Sequence, residues 1–191
     1  PAVLIAVDGN IKMKDATLDL TSAIRNFNLN MEQSGSHVAN VYAKAAADTA
    51  ADVSNIATAM SYISPIAGQA GWSIENVSAA IGLLGDKGVL GSRAGTGLRE
   101  MFTRLIKPTK DASKEMQALG FQAIDPTTHK MKDIGTLVGD LQKSLGGLNS
   151  AQKENALATI FGQQALTPVS ALLQTSKQAI DNETNSLKNS D

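Results

Sequence analysis

Residues 71–108 read GWSIENVSAAIGLLGDKGVLGSRAGTGLREMFTRLIKP, and this stretch decides the fold class. Ser73 is suited to cap a helix, because its hydroxyl can accept a bond from a first-turn amide that has no partner inside the helix. Glu75 then puts negative charge in that turn, where it favours the helix dipole. Ile74, Val77, Ile81 and Leu84 recur at helical spacing. Gly85 and Gly88 end this helix, and Ser92 stands where it could cap the next. The second helix carries Leu98, Met101, Phe102, Leu105 and Ile106 on one face until Lys107 and Pro108 stop it. The expectation is a helical hairpin with a glycine-rich turn between Gly85 and Gly91.

Glycines between Gly82 and Gly97 also invite a phosphate-loop reading, in which backbone amides cradle an anion. The neighbouring residues do not support it. A Walker loop needs Gly-Lys followed by Ser or Thr, whereas Lys87 sits in Asp86-Lys87-Gly88. Gly95-Thr96-Gly97 lacks the third glycine and the preceding strand of a dinucleotide fingerprint. Turn formation and close helix packing account for these glycines better. Trp72, the sole tryptophan, admits two roles: a staple packing near Val77 or Ser78, or an exposed anchor for a partner.

The chain has 191 residues, 42% hydrophobic but only 4% aromatic, with alanine supplying much of the apolar total. Alanine-rich helices approach closely, yet each buried methyl contributes far less than a leucine side chain, so the expected stability is modest. A net charge of −1 with no clustered basic face argues against nucleic-acid binding by this segment. Cysteine is absent, which excludes disulfides and thiolate metal sites. No apolar run is long enough to span a membrane, and the N-terminal PAVLIAV is too short and lacks the basic flank of a signal peptide. With Pro1 in place of a methionine, the chain reads as a piece of something longer.

Elsewhere helical periodicity dominates. Leu20, Ala23, Ile24 and Phe27 mark one helix, broken at residues 28–30. Asn30 is placed to cap a second helix over residues 32–48 with Val38, Val41, Tyr42 and Ala45 inward, and Asp52 a third with Ile56, Ala59, Met60 and Ile63. Pro65 should kink or restart that third helix near Ser64. Thr109 caps a short helix ended by Gly120. Residues 121–131 are the only strand-like interval, with a turn at 125–128. Asp133 caps a helix through Leu145, and Asn149 with Gln152 makes a capping box for a helix reaching Phe161 and ended by Gly162. A single last helix is expected to hold Val169, Leu172, Leu173 and Ile180. The expected fold is therefore all-α: a multi-helix globular domain of antiparallel helical hairpins with one short β-hairpin near 121–131. Residues 1–173 form its core, with a sub-boundary near 108–120, and 174–191 a polar helical or frayed tail.

Catalytic patterns are missing. His37 and His129 stand far apart without an HExxH arrangement and read as solvent-facing. No serine lies in a Gly-x-Ser-x-Gly elbow. Asp15 and Asp19 share a helical face but have no aromatic sugar platform beside them. No catalytic residue, cofactor or metal is accordingly expected.

The run from Ser73 to Thr109, with its core GSRAGTGLR at 91–99, resembles the core region of bacteriophage tail tape measure proteins, the phage minor tail protein family. The segment DVSNI at 52–56 leading to Pro65 resembles the element before it. ALGF at 118–121, residues 134–145 and residues 147–162 resemble the succeeding ones, so the likeness covers residues 2–173. Two positions depart from the pattern: Gly97, where a helix former is usual and which costs roughly 1 kcal/mol of helix propensity, and Lys12, where a capping serine or threonine is more typical. The structural motif of this stretch is expected to rest on Trp72, Ser73, Gly85, Gly88, Gly91, Ser92, Gly95, Leu98, Arg99 and Pro108.

The resemblance implies a structural protein of a phage or prophage tail that sets tail length, templates tube assembly and leaves ahead of the DNA. Its implied partners are the tail tube, the tail tip or distal tail protein, tail assembly chaperones and further copies of itself. It implies a place in the tail lumen, reached from the host cytoplasm, with membrane contact left to other parts of the parent. A fully helical chain of this length would reach only about 290 Å, short for many tails, so the ruler lies mostly outside it. A stand-alone helical adaptor or chaperone-like module is the alternative, and a divergent hydrolase the third reading.

Overall fold

A computed structural model describes residues 2–8 and 12–191. The described residues form eleven helices: α1 Ala2–Asp8, α2 Met13–Asn26, α3 Gly35–Asp48, α4 Val53–Ala67, α5 Ile74–Gly85, α6 Gly91–Ile106, α7 Lys110–Ala118, α8 Ile134–Ser144, α9 Ser150–Phe161, α10 Gln163–Leu172 and α11 Lys177–Lys188. The fold is all-α. Helices α1 to α4 pack among themselves, α5 runs between them and the C-terminal helices, and α11 returns to cover α5 and α8. α5 is buried almost all round, which suits a helix made of Ile, Val and Leu interleaved with Ser78, Ala79, Ala80 and Gly82.

Short polar residues start these helices. Asp52, Ser73, Thr109, Asp133 and Asn149 each accept a bond from the amide three residues on, at 2.6, 3.2, 3.2, 2.8 and 3.0 Å. Asn149 and Gln152 form the full capping box. Lys12 precedes α2 without a side-chain cap. A repeated device ends the helices. After α2, α4, α5 and α7, paired bonds close the last turn: Asn28 to Arg25 and Leu29 to Ile24; Gly71 to Gly68 and Trp72 to Ala67; Gly88 to Gly85 and Val89 to Leu84; Gly120 to Gln117 and Phe121 to Met116. This is the Schellman arrangement, and the residue after each left-handed position, Leu29, Trp72, Val89 or Phe121, is apolar.

Several expectations need correction. Asn30 accepts from the amides of Glu32 and Gln33 and so winds a separate turn; α3 begins only at Gly35. Pro65 does not break α4, which continues to Ala67. Pro65 and Ser61 are both exposed, so the Ser61 carbonyl that loses its donor can turn to water. The expected last helix is two, because the chain breaks at 173–176. Gln142 of α8 donates to the carbonyls of Leu173 and Thr175 at 3.0 and 2.8 Å, stabilising that break, and Ser176 caps α11 at 3.0 Å. Residues 121–131 contain a single antiparallel bridge, Ile124 with Met131, rather than two strands. Asp125 accepts from the amides of Thr127 and Thr128 at 2.8 and 2.7 Å, so the turn falls where expected, but His129 takes φ +56° and interrupts the second strand. The segment 174–191 is helical over Lys177–Lys188 and buries Ile180, Thr184 and Leu187.

The α5–α6 hairpin also packs differently from expectation: the main partners of α6 are α4 and α10, not α5. A side-chain methyl at Gly95 would meet the Ala59 carbonyl oxygen and lie 2.8 Å from Ala59 Cα. One at Gly97 would run into the ring of Pro168 on α10, 2.6 Å from its Cβ. The propensity cost of Gly97 is thus offset by a contact that alanine could not make.

Gly97→Ala should therefore lower stability by about 1–2 kcal/mol in urea denaturation, overpacking outweighing the gain in helix propensity. Combining it with Pro168→Ala should recover part of that loss as a positive coupling. Ser176→Ala should cost about 1 kcal/mol, whereas Ser92→Ala should stay within about 0.5 kcal/mol.

Candidate functional site

The residues singled out from the sequence divide between core and surface. Trp72 is buried, its ring tilted 56° against Phe102, and its indole Nε1 donates to the Lys132 carbonyl at 2.9 Å. It thereby pins the 121–132 loop to α6. Burial rules out the exposed-anchor role. Ser73 caps α5, and Leu98 is buried in the core. Arg99 projects from the outer surface of α6, whose exposed positions also include Ser92, Thr96, Thr103 and Ile106. Ile106, expected inward, is 53% exposed because it ends the helix beyond the contact with its neighbours.

Ser92 does not cap α6. The N-cap position falls at Leu90, which is extended with φ −116° and ψ 159° and has no side-chain cap bond. Gly91 takes φ +52° between them, so the chain enters the helix through a backbone reversal and Ser92 already lies within the first turn. Gly88 has φ +74° and open space around it, so conformation alone selects glycine there. Gly85 is not a turn residue. It belongs to α5, and a methyl on it would lie 2.8 Å from the Ala51 methyl, as one on Gly82 would lie 2.9 Å from Thr49. Together they form a flat strip on which the 49–51 linker rests, and Asp86 Oδ1 fastens that linker by accepting the Ala50 amide at 2.7 Å.

Pro108 stands at the end of α6 beside a groove of about 540 Å³ lined by Ile106, Met116, Phe121, Ile124 and neighbouring residues. A second opening, about 390 Å³, lies by Trp72 and Ser73 and is mostly polar, with Asn76, Asp133, Asp181 and Lys188 in its wall. Asn76 is a buried hub: its Oδ1 accepts the Ile134 amide at 3.1 Å and its Nδ2 donates to Thr184 at 3.2 Å, joining α5 to α8 and α11. The sequence reading missed it because a lone asparagine in an apolar helix carries no pattern.

Charged groups follow structure more than chemistry. Burial first, then the Asp15 charge, pushes the Asp19 carboxyl up, and burial does the same to the fully enclosed Tyr42 phenol. His129 is exposed as expected, but His37 is not simply solvent-facing. It lies between two carboxylates, with Nε2 at 2.7 Å from Glu75 and Nδ1 at 3.0 Å from Asp191. Among the described residues, no group of three or more His, Asp or Glu side chains could hold a metal ion, and no helix is long and apolar enough to cross a membrane. What this arrangement does is bring helices into close contact and hold their ends.

Known proteins bear on this. The chain is 40% identical over 172 residues to the tape measure protein of Pneumococcus phage Dp-1, covering 90% of this chain and 15% of that protein. It is 34% identical over 139 residues to the probable tape measure protein of Escherichia phage P2, covering 72% of this chain and 17% of that protein. The chain therefore spans about a sixth of the length of these relatives. No solved structure matches it. The model of one family, described as phage-related minor tail protein, matches residues 1–162, and the chain belongs to that family.

Proposed function

We propose that this chain is a folded, non-enzymatic unit of a phage tail tape measure protein and works in tail assembly. The observation that carries this reading is the 40% identity to a tape measure protein across 90% of the chain. The conformation of the central motif agrees with it, because its glycines serve turns and helix contacts. In this reading the parent lies in the tail lumen, sets tail length and leaves ahead of the DNA, having been assembled in the host cytoplasm. Its partners are the tail tube, the tail tip or distal tail protein, assembly chaperones and further copies of itself. Nothing observed favours a stand-alone adaptor.

The ruler function requires extended length, and this unit spends its residues on a packed body instead. Its contribution is therefore a docking body attached to the ruler, with α11, which buries Ile180 and Leu187, completing the core of residues 1–173. The outer surface of α6 around Arg99 and the groove beside Pro108 are the parts of the motif left free for partners.

The test is a phage whose tape measure protein contains this unit. Gly88→Val or Gly91→Val places a β-branched residue at positive φ and should cost about 1–3 kcal/mol of stability in the isolated chain. In the phage, electron microscopy of lysates should show few or no finished tails. Normal numbers of normal tails from a variant shown by thermal melting to be destabilised would refute the assembly role. In a second arm, Arg99→Glu should leave the melt unchanged and reduce finished tails. Peptidoglycan cleavage by the purified chain would refute the non-enzymatic reading.

A further inference from the structure

His37 occupies a position that the assembly role does not explain. It lies in α3, and both of its ring nitrogens face carboxylates from other parts of the chain: Glu75 in the first turn of α5 and Asp191 beyond the end of α11. A neutral imidazole has one N–H and can donate to only one of them; an imidazolium donates to both. The second carboxylate would otherwise face a nitrogen lone pair at 3.0 Å, which is repulsive. The geometry points to His37 as a proton-operated latch that fastens the segment after α11 to α3 and α5 when protonated and releases it when neutral.

The surroundings fit a latch. Asn40, one turn along α3, donates to the other oxygen of Asp191 at 3.2 Å, so the carboxylate is gripped at both oxygens. Glu75 is drawn toward His37 while its carboxyl also bonds Ser73, the cap of the same helix. The charged groups acting on His37 are these two carboxylates. Lys44 on the same helix is paired with Asp48 at 2.6 Å, and Glu183 of α11 interacts with that pair and Asp86 rather than with His37.

The electrostatics set the direction. Burial pulls the His37 pKa down, but the bonds to Glu75 and Asp191 outweigh it and leave the pKa raised. Burial pushes Glu75 up, and the bonds from Ser73 and His37 outweigh that and leave it lowered. A raised histidine pKa gives stabilisation that is full below the unfolded value near 6.5 and is lost as pH rises through the folded value. A lowered glutamate pKa gives stabilisation present above 4.5 and lost as pH falls through the folded value. Between those limits both partners are charged and the latch is closed. Glu183, whose carboxyl is raised by burial and then by Asp48, titrates in the same direction as His37 but starts from the carboxylate range.

The experiment uses the full chain and two measurements. Nuclear magnetic resonance titration of the His37 Cε1–Hε1 signal should show its midpoint fall in Asp191→Asn. Hydrogen exchange of the amides at 186–191, corrected for intrinsic rates, should lose protection as pH rises through the His37 midpoint. Each pKa unit by which His37 exceeds its value in Asp191→Asn should correspond to about a tenfold loss. His37→Gln, whose amide does not titrate, should flatten the profile while circular dichroism shows the helices intact, and Glu183→Gln should leave it unchanged. A His37 midpoint unchanged or raised in Asp191→Asn would overturn the proposal, as would protection indifferent to that midpoint. Loss of the pH profile in Glu183→Gln would assign the effect to that carboxylate and overturn it equally.

Discussion

The contact between α4 and α6 at Ala59 and Gly95 is the constraint on which the rest of the structure depends. A methyl on Gly95 would strike the Ala59 carbonyl, so these two helices touch backbone to backbone. Such an approach is open only to small side chains, and it compensates for a core with few aromatic rings by bringing more atoms into dispersion contact. The same solution appears where α6 meets Pro168, where Gly82 and Gly85 carry the 49–51 linker, and where Gly68 faces the Asn26 carbonyl. α5 can then be enclosed because the neighbours around it are held close.

Close packing of short helices makes their ends critical, since every end leaves backbone groups without partners. The side-chain caps and the Schellman closures satisfy many of them locally, and the apolar residue following each closure carries the chain back into the core or against it. Trp72 illustrates how one residue links these levels. Its amide closes α4, its position precedes the cap of α5, its ring packs on Phe102 of α6, and its indole holds the loop before α8. The buried Asn76 does for α5, α8 and α11 what Trp72 does for α4, α6 and the loop.

Local rules made much of this legible. Asp52, Ser73, Thr109, Asp133 and Asn149 announce helix starts because a short oxygen-bearing side chain before an apolar period has a single structural meaning. Ser176 follows the same rule but was hidden by Val169, Leu172, Leu173 and Ile180, whose spacing imitates one continuous helix. What breaks it is Gln142, distant in sequence, accepting the role of donor to the freed carbonyls. Ser92 failed for the opposite reason: the rule was applied where Gly91, at positive φ, had already turned the chain into the helix. Partner choice was the least legible feature. Nothing in the α6 periodicity says that it meets α4 and α10 rather than α5, and the meaning of Gly97 exists only once Pro168 is opposite it.

Most of the central motif of this chain serves its folding. Gly85, Gly91, Gly95 and Leu98 face inward and the exposed Gly88 shapes the backbone, while Ser73, Ser92 and Arg99 meet solvent. In an enzyme the recognisable residues would converge on a cleft, with pKa values set against one another for proton transfer. Here His37 and Glu75, whose pKa values are shifted, meet at the contact between α3 and α5, with Asp191 of the segment after α11 bonded to His37. The bonds of His37 thus tie α3 to α5 and to the segment after α11, linking elements that are distant in sequence.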